Sequence, residues 1–261
     1  MTPVENPTTE LLMTDSERLV HPDSPPKGEI RFESVAFYGR TLEEYERFFN
    51  FQAGGWEGKR VLDCHARSSS FVAEGIRRGI KTQAVDPMYD RAEESLEQLG
   101  RADMEVVLAK TMSRPELYNF DHMKNFDHVR TLRERALDTF VRDFSAGRAQ
   151  GRYVAGQLAN LPFNDATFDV VLNNHYLFLY ADHFDYDFIL DSCREMARVC
   201  DLNRGGDVRL YPLLGHNARP YRHLQKLRID LFNQDGISAE VVEIPFQYLK
   251  GGNQMLILHR H

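Results

Sequence analysis

Between Gly58 and Pro87 the chain writes an apolar run, a serine-led amphipathic run and a second apolar run, and no other stretch constrains the fold as much. GKRVLDC, residues 58–64, reads as a short buried strand. SSSFVAEGIRRGI, residues 68–80, reads as a helix capped by one of its serines and closed near Gly79. KTQAVDP, residues 81–87, is a second strand that Pro87 ends. Strand, helix and strand in such close succession form a βαβ unit. That unit predicts a parallel sheet with its ligand beyond the carboxyl ends of the strands. Those ends are Asp63 to Arg67 and Asp86 to Met88.

The remaining chain arranges itself around this unit. Residues 1–28 hold Pro3, Pro7, Pro22, Pro25 and Pro26 among Thr, Ser and Asp, and read as an irregular arm ahead of one domain over 29–261. TLEEYERFFNF opens with a Thr N-cap and a Glu three residues later, and sets Leu42, Tyr45, Phe48 and Phe49 on one helical face. Residues from about 89 to 150 are too many for an ordinary connection and read as helices, with RAEESLEQLG and HVRTLRERALDTFVRDF the clearest. An inserted helical lid over the ligand face is expected there. GRYVAGQ then reads as a strand, and DVVLNNHYLFLY as a buried strand that runs on past its end. Residues 185–200 form an acidic, then apolar helix, LNRGGDVRLYPLL a turn and strand, and SAEVVEIPF with QMLILHR a closing hairpin.

Composition narrows the function. With 261 residues, 42 % of them hydrophobic and 27 % charged, the chain can bury one sizeable core. No run approaches the roughly 20 apolar residues of a membrane span, and no basic-then-apolar leader begins the chain, so a soluble cytoplasmic protein is expected. A net charge of −7, from 32 Lys and Arg against 39 Asp and Glu, leaves no electrostatic footprint for nucleic acid or anionic lipid. A small, cationic ligand suits that balance. Cys64, Cys193 and Cys200 are odd in number and lack CxxC spacing, so reduced thiols are expected, with no disulfide framework or zinc site. His122 and His128 stand six apart, which is not a same-face helical spacing, so no metal is expected.

Several local words in this order resemble the class I methyltransferases that use S-adenosylmethionine (SAM), over roughly Lys59 to Arg260 apart from the insertion. VLDC at 61–64 is similar to the family's first motif, and QAVDP at 83–87 to its second-strand acid. GQLANLPFNDATFDVVLNN at 156–174 resembles its adenine loop and fourth strand. CREMARVCDLNRGGDVRLYPL at 193–213 resembles the following helix, Gly-Gly turn and fifth strand. The resemblance implies a Rossmann-like α/β fold with a mostly parallel seven-stranded sheet and a C-terminal antiparallel hairpin. It also implies SAM as cofactor, a small-molecule substrate, and cofactor contacts from Asp63, Cys64, His65, Asp86, Pro87, Met88, Gln157 and Leu158.

The residues supply their own reasons. A carboxylate ending the second strand, Asp86, is placed either to accept ribose hydroxyls or simply to cap the strand end. The first loop departs from the family: Cys64-His65-Ala66-Arg67-Ser68-Ser69-Ser70 contains no glycine to admit a close backbone approach. Arg67, Ser68 and Ser69 either hold the carboxylate of SAM by charge-assisted hydrogen bonds, or serve as a surface charge and a helix cap. Asn173, Asn174, His175 and Tyr176 follow the fourth strand, where catalytic groups are expected. A Tyr face there suits a sulfonium and an Asn carbonyl orients an amine, against the plainer reading that NNHYLFLY continues into the core. Tyr38 and Arg40, just before the opening helix, are placed to reach back over the cofactor.

Two reactions stay open. Methyl transfer to a small molecule is the family's common chemistry, in which the protein aligns a nucleophile with the methyl group. The rarer azetidine-2-carboxylate synthase branch lets the amine of SAM attack its own γ-carbon and releases methylthioadenosine. The insertion, the glycine-poor loop and the Asn/Tyr pair are similar to that branch. Cyclisation is favoured because nothing in the sequence marks a second substrate site. A degenerate fold that binds a nucleoside or a partner without turning it over is the third reading.

Overall fold

The computed structural model describes residues 30, 32–51, 53–121 and 123–260, so the proline-rich arm over 1–28 and His122 lie outside the described residues. Its frame is one seven-stranded sheet. The strands are β1 (Arg60–Cys64), β2 (Lys81–Asp86), β3 (Tyr153–Ala155), β4 (Val170–Asn174), β5 (Asp207–Tyr211), β6 (Ser238–Glu243) and β7 (Gln254–His259). They run in the order β3-β2-β1-β4-β5-β7-β6. The first five are parallel to their neighbours, and β7 pairs antiparallel with both β5 and β6. This is the mostly parallel seven-stranded sheet with a C-terminal antiparallel hairpin that the sequence resemblance implies. The order reverses between β1 and β4, which opens a crevice at their carboxyl ends.

Among the described residues, six α-helices flank the sheet: α1 (Leu42–Phe48), α2 (Phe71–Arg77), α3 (Glu93–Ser113), α4 (Phe126–Ala149), α5 (Tyr186–Val199) and α6 (Leu224–Asp235). Thr41 and Glu44 close a reciprocal capping box on α1. The start of α2 is held by Ser69, whose Oγ accepts from the Phe71 amide at 3.1 Å. Buried β1 and β4, with Val61, Leu62, Val171 and Leu172 wholly out of solvent, explain the unbroken apolar runs of those strands.

Two findings depart from the sequence reading. DVVLNNHYLFLY does not run on as a strand: β4 stops at Asn174, and His175 takes φ +53, turning the chain through Tyr176 to Tyr180. Helix α6 was not anticipated at all. Its apolar pattern is thin, with Leu227 and Leu231 its buried residues, so its own sequence carries little amphipathic signal.

Between β2 and β3 the chain spends 21 residues on α3 and 24 on α4. A Cβ on Gly100 of α3 would stand 2.7 Å from Leu137 of α4, so the two helices approach closely through that glycine. All three cysteines are buried free thiols. No helix among the described residues is long and apolar enough to cross a membrane.

Candidate functional site

A narrow cleft of about 60 Å³ opens at the carboxyl ends of β1 and β4. Its sheet-side wall is His65, Ala66 and Arg67 from the loop after β1, and Asn174, His175 and Tyr176 from the turn after β4. Its opposite walls come from elements outside the sheet: Tyr38 and Arg40 before α1, Val107 and Thr111 of α3, Tyr118 beyond it, and Tyr248 and Leu249 from the loop joining β6 to β7.

The glycine-free loop achieves its turn by strain. His65 and Arg67 hold φ of +59 and +53, a region that non-glycine residues enter at a cost. His65 is fixed twice: its ring stacks on Tyr176 with centroids 3.8 Å apart, and its Nε2 accepts from the Leu158 amide at 3.2 Å. Burial and the Arg67 charge keep its pKa well below that of an ordinary imidazole, so it is neutral. Asp63 is wholly buried, with Tyr45 donating to its Oδ2 at 2.7 Å. Its Oδ1 has no hydrogen-bond partner among the described residues, and burial pushes its pKa up to about 7. Cys64 is buried behind the cleft, with its thiol pKa pushed up by burial.

Ser68 and Ser69 do not present free hydroxyls. Ser68 Oγ donates to Phe37 O at 3.3 Å and Ser69 Oγ to Arg40 O at 3.2 Å. They tie the segment before α1 onto the first loop. Arg67 is neither a surface charge nor an open carboxylate site. It is 6 % exposed, its amide donates to Asp86 Oδ2 at 3.0 Å, and its Nη1 lies 3.5 Å from Asp86 Oδ1. Asp86 also accepts from the Met88 amide at 3.0 Å, capping the turn that Pro87 begins. Arg67 therefore stands between Asp86 and the cleft. Met88 and Leu158 are buried and Pro87 and Gln157 half-buried, and none of these four, nor Asp86, lines the cleft.

After β4 the expected quartet divides. Asn173 faces inward: its Nδ2 donates to Cys64 O and its Oδ1 accepts from the Leu177 amide, both at 3.2 Å. It is a positioning residue for the turn, not a group at the cleft, because both ends of its amide are spent on backbone. Asn174, His175 and Tyr176 do line the cleft. Asn174 Oδ1 lies 2.6 Å from His175 Nδ1. That contact puts the hydrogen on Nδ1 and leaves Nε2 as the lone-pair face. Burial together with Arg40 and Arg133 holds His175 well below the usual histidine pKa.

Sequence reading missed Tyr45, Tyr118 and Tyr248. Tyr45 was legible only as an apolar position of α1, since nothing in the sequence tells that its hydroxyl meets Asp63. Among the described residues there is no group of three or more His, Cys, Asp or Glu disposed to hold a metal.

No protein-family model matches the chain. An uncharacterized protein of Methanocaldococcus jannaschii is 25 % identical over 232 residues, covering 88 % of this chain and 99 % of its own. Among solved structures, the chain is similar to 1,6-didemethyltoxoflavin-N1-methyltransferase of Burkholderia thailandensis with bound S-adenosylhomocysteine, at 14 % identity, 77 % and 70 % coverage and a TM-score of 0.40. It is also similar to a SAM-dependent methyltransferase of Aquifex aeolicus, at 12 % identity, 83 % and 94 % coverage and a TM-score of 0.38. These are likenesses of fold at most, and the chemistry of the site rests on its own residues.

Proposed function

We propose that the chain is a SAM-dependent enzyme that transfers a methyl group to a small molecule. The observation that carries this reading is Asp63. It is a buried carboxylate at the end of β1 with one oxygen lacking a partner, set behind Tyr45 of a cleft that Tyr176 lines with an aromatic ring. Such an arrangement favours a cation, because a positive group in the cleft lowers the cost of ionising the carboxylate behind Tyr45. SAM bears both an ammonium and a sulfonium, so the donor set fits it. When bound, it supplies an electrophilic methyl group.

The residues divide the remaining work. Asp86 would accept ribose hydroxyls once the Arg67 guanidinium swings off it, and Met88, Gln157 and Leu158 border the adenine side. Tyr176, held by the stacked His65, offers its ring face to the positive charge. Asn174 orients His175 through Nδ1, leaving neutral Nε2 to accept a hydrogen bond from the attacking group of the acceptor and so align it. Helices α3 and α4 act as a lid that keeps water from the cleft.

Methyl transfer is favoured over cyclisation to azetidine-2-carboxylate because the cleft offers polar wall away from the strand ends, on which an acceptor would rest. The lining of the cleft continues beyond the strand ends to Tyr38, Arg40, Tyr118 and Tyr248, polar groups against which an acceptor would lie. Incubation with SAM alone separates the two. Little turnover, with S-adenosylhomocysteine formed on adding a pool of small acceptors, is expected; methylthioadenosine and azetidine-2-carboxylate from SAM alone would establish cyclisation instead.

A further inference from the structure

At the capped end of the cleft, charge is left unbalanced. Arg133 of α4 reaches across to Glu44 of α1 and forms a buried ion pair, and its Nη1 also donates to Gly39 O at 2.5 Å. Arg40 lies beside this pair, 8 % exposed, and has no carboxylate within ion-pairing distance among the described residues. Among the described residues the single hydrogen bond of its side chain is Nη1 to Gly39 O at 3.3 Å, the carbonyl of its own chain neighbour. Two buried guanidinium groups thus share one carboxylate. Both also lie over the Tyr38 ring, with Cζ to centroid distances of 4.6 Å for Arg40 and 5.4 Å for Arg133.

A buried charge without a partner costs several kcal/mol unless something neutralises it. Neutral rings ease that cost only in part. Burial and the Arg133 charge both lower the Arg40 pKa, which is the same imbalance seen from the proton's side. Arg40 lines the cleft, so the missing partner has a route in.

We propose that Arg40 is the anchor of a carboxylate-binding subsite at the capped end of the cleft. The excess is one positive charge, which a monoanionic carboxylate cancels. The planar fork of a guanidinium matches the two oxygens of a carboxylate bidentately. Tyr38 and Tyr248 flank it with aromatic wall. The carboxylate belongs either to the amino-acid arm of SAM, in which case the inference rests on the SAM reading above, or to the acceptor.

The test measures binding by calorimetry to the wild type, Arg40→Gln and Arg40→Lys. The probes are S-adenosylhomocysteine, methylthioadenosine (which lacks the amino-acid arm), and propionate against its neutral isostere propionamide with nucleoside present and absent. If the arm of SAM fills the subsite, Arg40→Gln weakens S-adenosylhomocysteine roughly 10- to 100-fold and leaves methylthioadenosine unchanged. If the acceptor fills it, S-adenosylhomocysteine is unaffected, while the wild type prefers propionate to propionamide and Arg40→Gln loses that preference. Arg40→Lys keeps the charge but not the fork and falls between, which guards against a glutamine variant that fails to fold. Unchanged S-adenosylhomocysteine affinity in both variants, with no preference for propionate in the wild type, overturns the proposal. Failure of the wild type to bind either nucleoside would count against the SAM reading alone, because the propionate comparison still decides the role of Arg40.

Discussion

Asp63 shows how one buried group links folding to ligand choice. Its pKa moves from 3.8 to about 7, chiefly through burial. Between those values the native state keeps a proton that the unfolded chain releases, so stability falls as pH rises from about 4 to about 7, by up to about 1.4 kcal/mol per unit. Above pH 7 both states are ionised and the loss is complete. Asp63→Asn keeps an acceptor for the Tyr45 hydroxyl but cannot ionise. Thermal unfolding midpoints measured from pH 4 to 8 should therefore slope downward more steeply in the wild type than in the variant. Equal slopes would mean that Asp63 ionises normally in the native state. At the Arg133–Glu44 pair the expectation is asymmetric: Glu44→Gln removes the carboxylate that both buried guanidinium groups face and should cost about 3–5 kcal/mol in denaturant unfolding, whereas Arg133→Met leaves Arg40 beside Glu44 and should cost less. A loss from Arg133→Met as large as that from Glu44→Gln would show that packing, not charge, sets the cost.

The segment from Ala36 to Arg40 matters as an element because it closes the first loop from above. A Cβ on Gly39 would stand 2.0 Å from Ser68 O and 2.7 Å from the Ser69 amide nitrogen. Both obstacles are backbone, so neither yields by a rotamer change. Gly39→Ala should lift the segment, break the serine tethers to Phe37 and Arg40, and lower nucleoside affinity at least about tenfold, since a small misplacement of binding groups is enough. An affinity within twofold of wild type would show that the tether is not needed. This element also marks where sequence reading ran out. The parallel sheet was legible because buried strands write continuous apolar runs and their helices write capped periodic ones, and α1 was legible from its Thr41 and Glu44 cap together with the apolar face of Leu42, Tyr45, Phe48 and Phe49. The tethering role of Ser68 and Ser69 was not, because it depends on a segment some 30 residues away that shows no periodicity. Arg67 was visible as a charge near the strand ends, but its lodging on Asp86 is a tertiary fact. Asn173 and Asn174 are adjacent and alike in type; the alternation of side chains along β4, whose register the sequence does not mark, sends one inward and the next to the cleft.

At the scale of the molecule, the cleft is a junction of segments far apart in the chain, set over a rigid strand floor. Val61, Leu62, Val171 and Leu172 have no exposure, so β1 and β4 can open to solvent only by global unfolding. The cap is different: α3 and α4 show solvent along much of their length, with Val106 and Met112 of α3 about half exposed at 49 % and 54 %. Because the cleft holds only about 60 Å³ as it stands, admitting a nucleoside requires the cap to move while the floor stays. Hydrogen–deuterium exchange tests this directly. Amides of 36–40, 107–118 and 246–249 should exchange well before those of β1 and β4 in the free protein, and should slow together on adding S-adenosylhomocysteine. Amides of α6 and of the β6 edge, remote from every cleft-lining residue, should not respond. Slowing confined to residues 65–67 and 174–176 would mean that the ligand is held by the strand ends alone. The cap would then be a fixed wall, and entry would depend on Arg67 leaving Asp86.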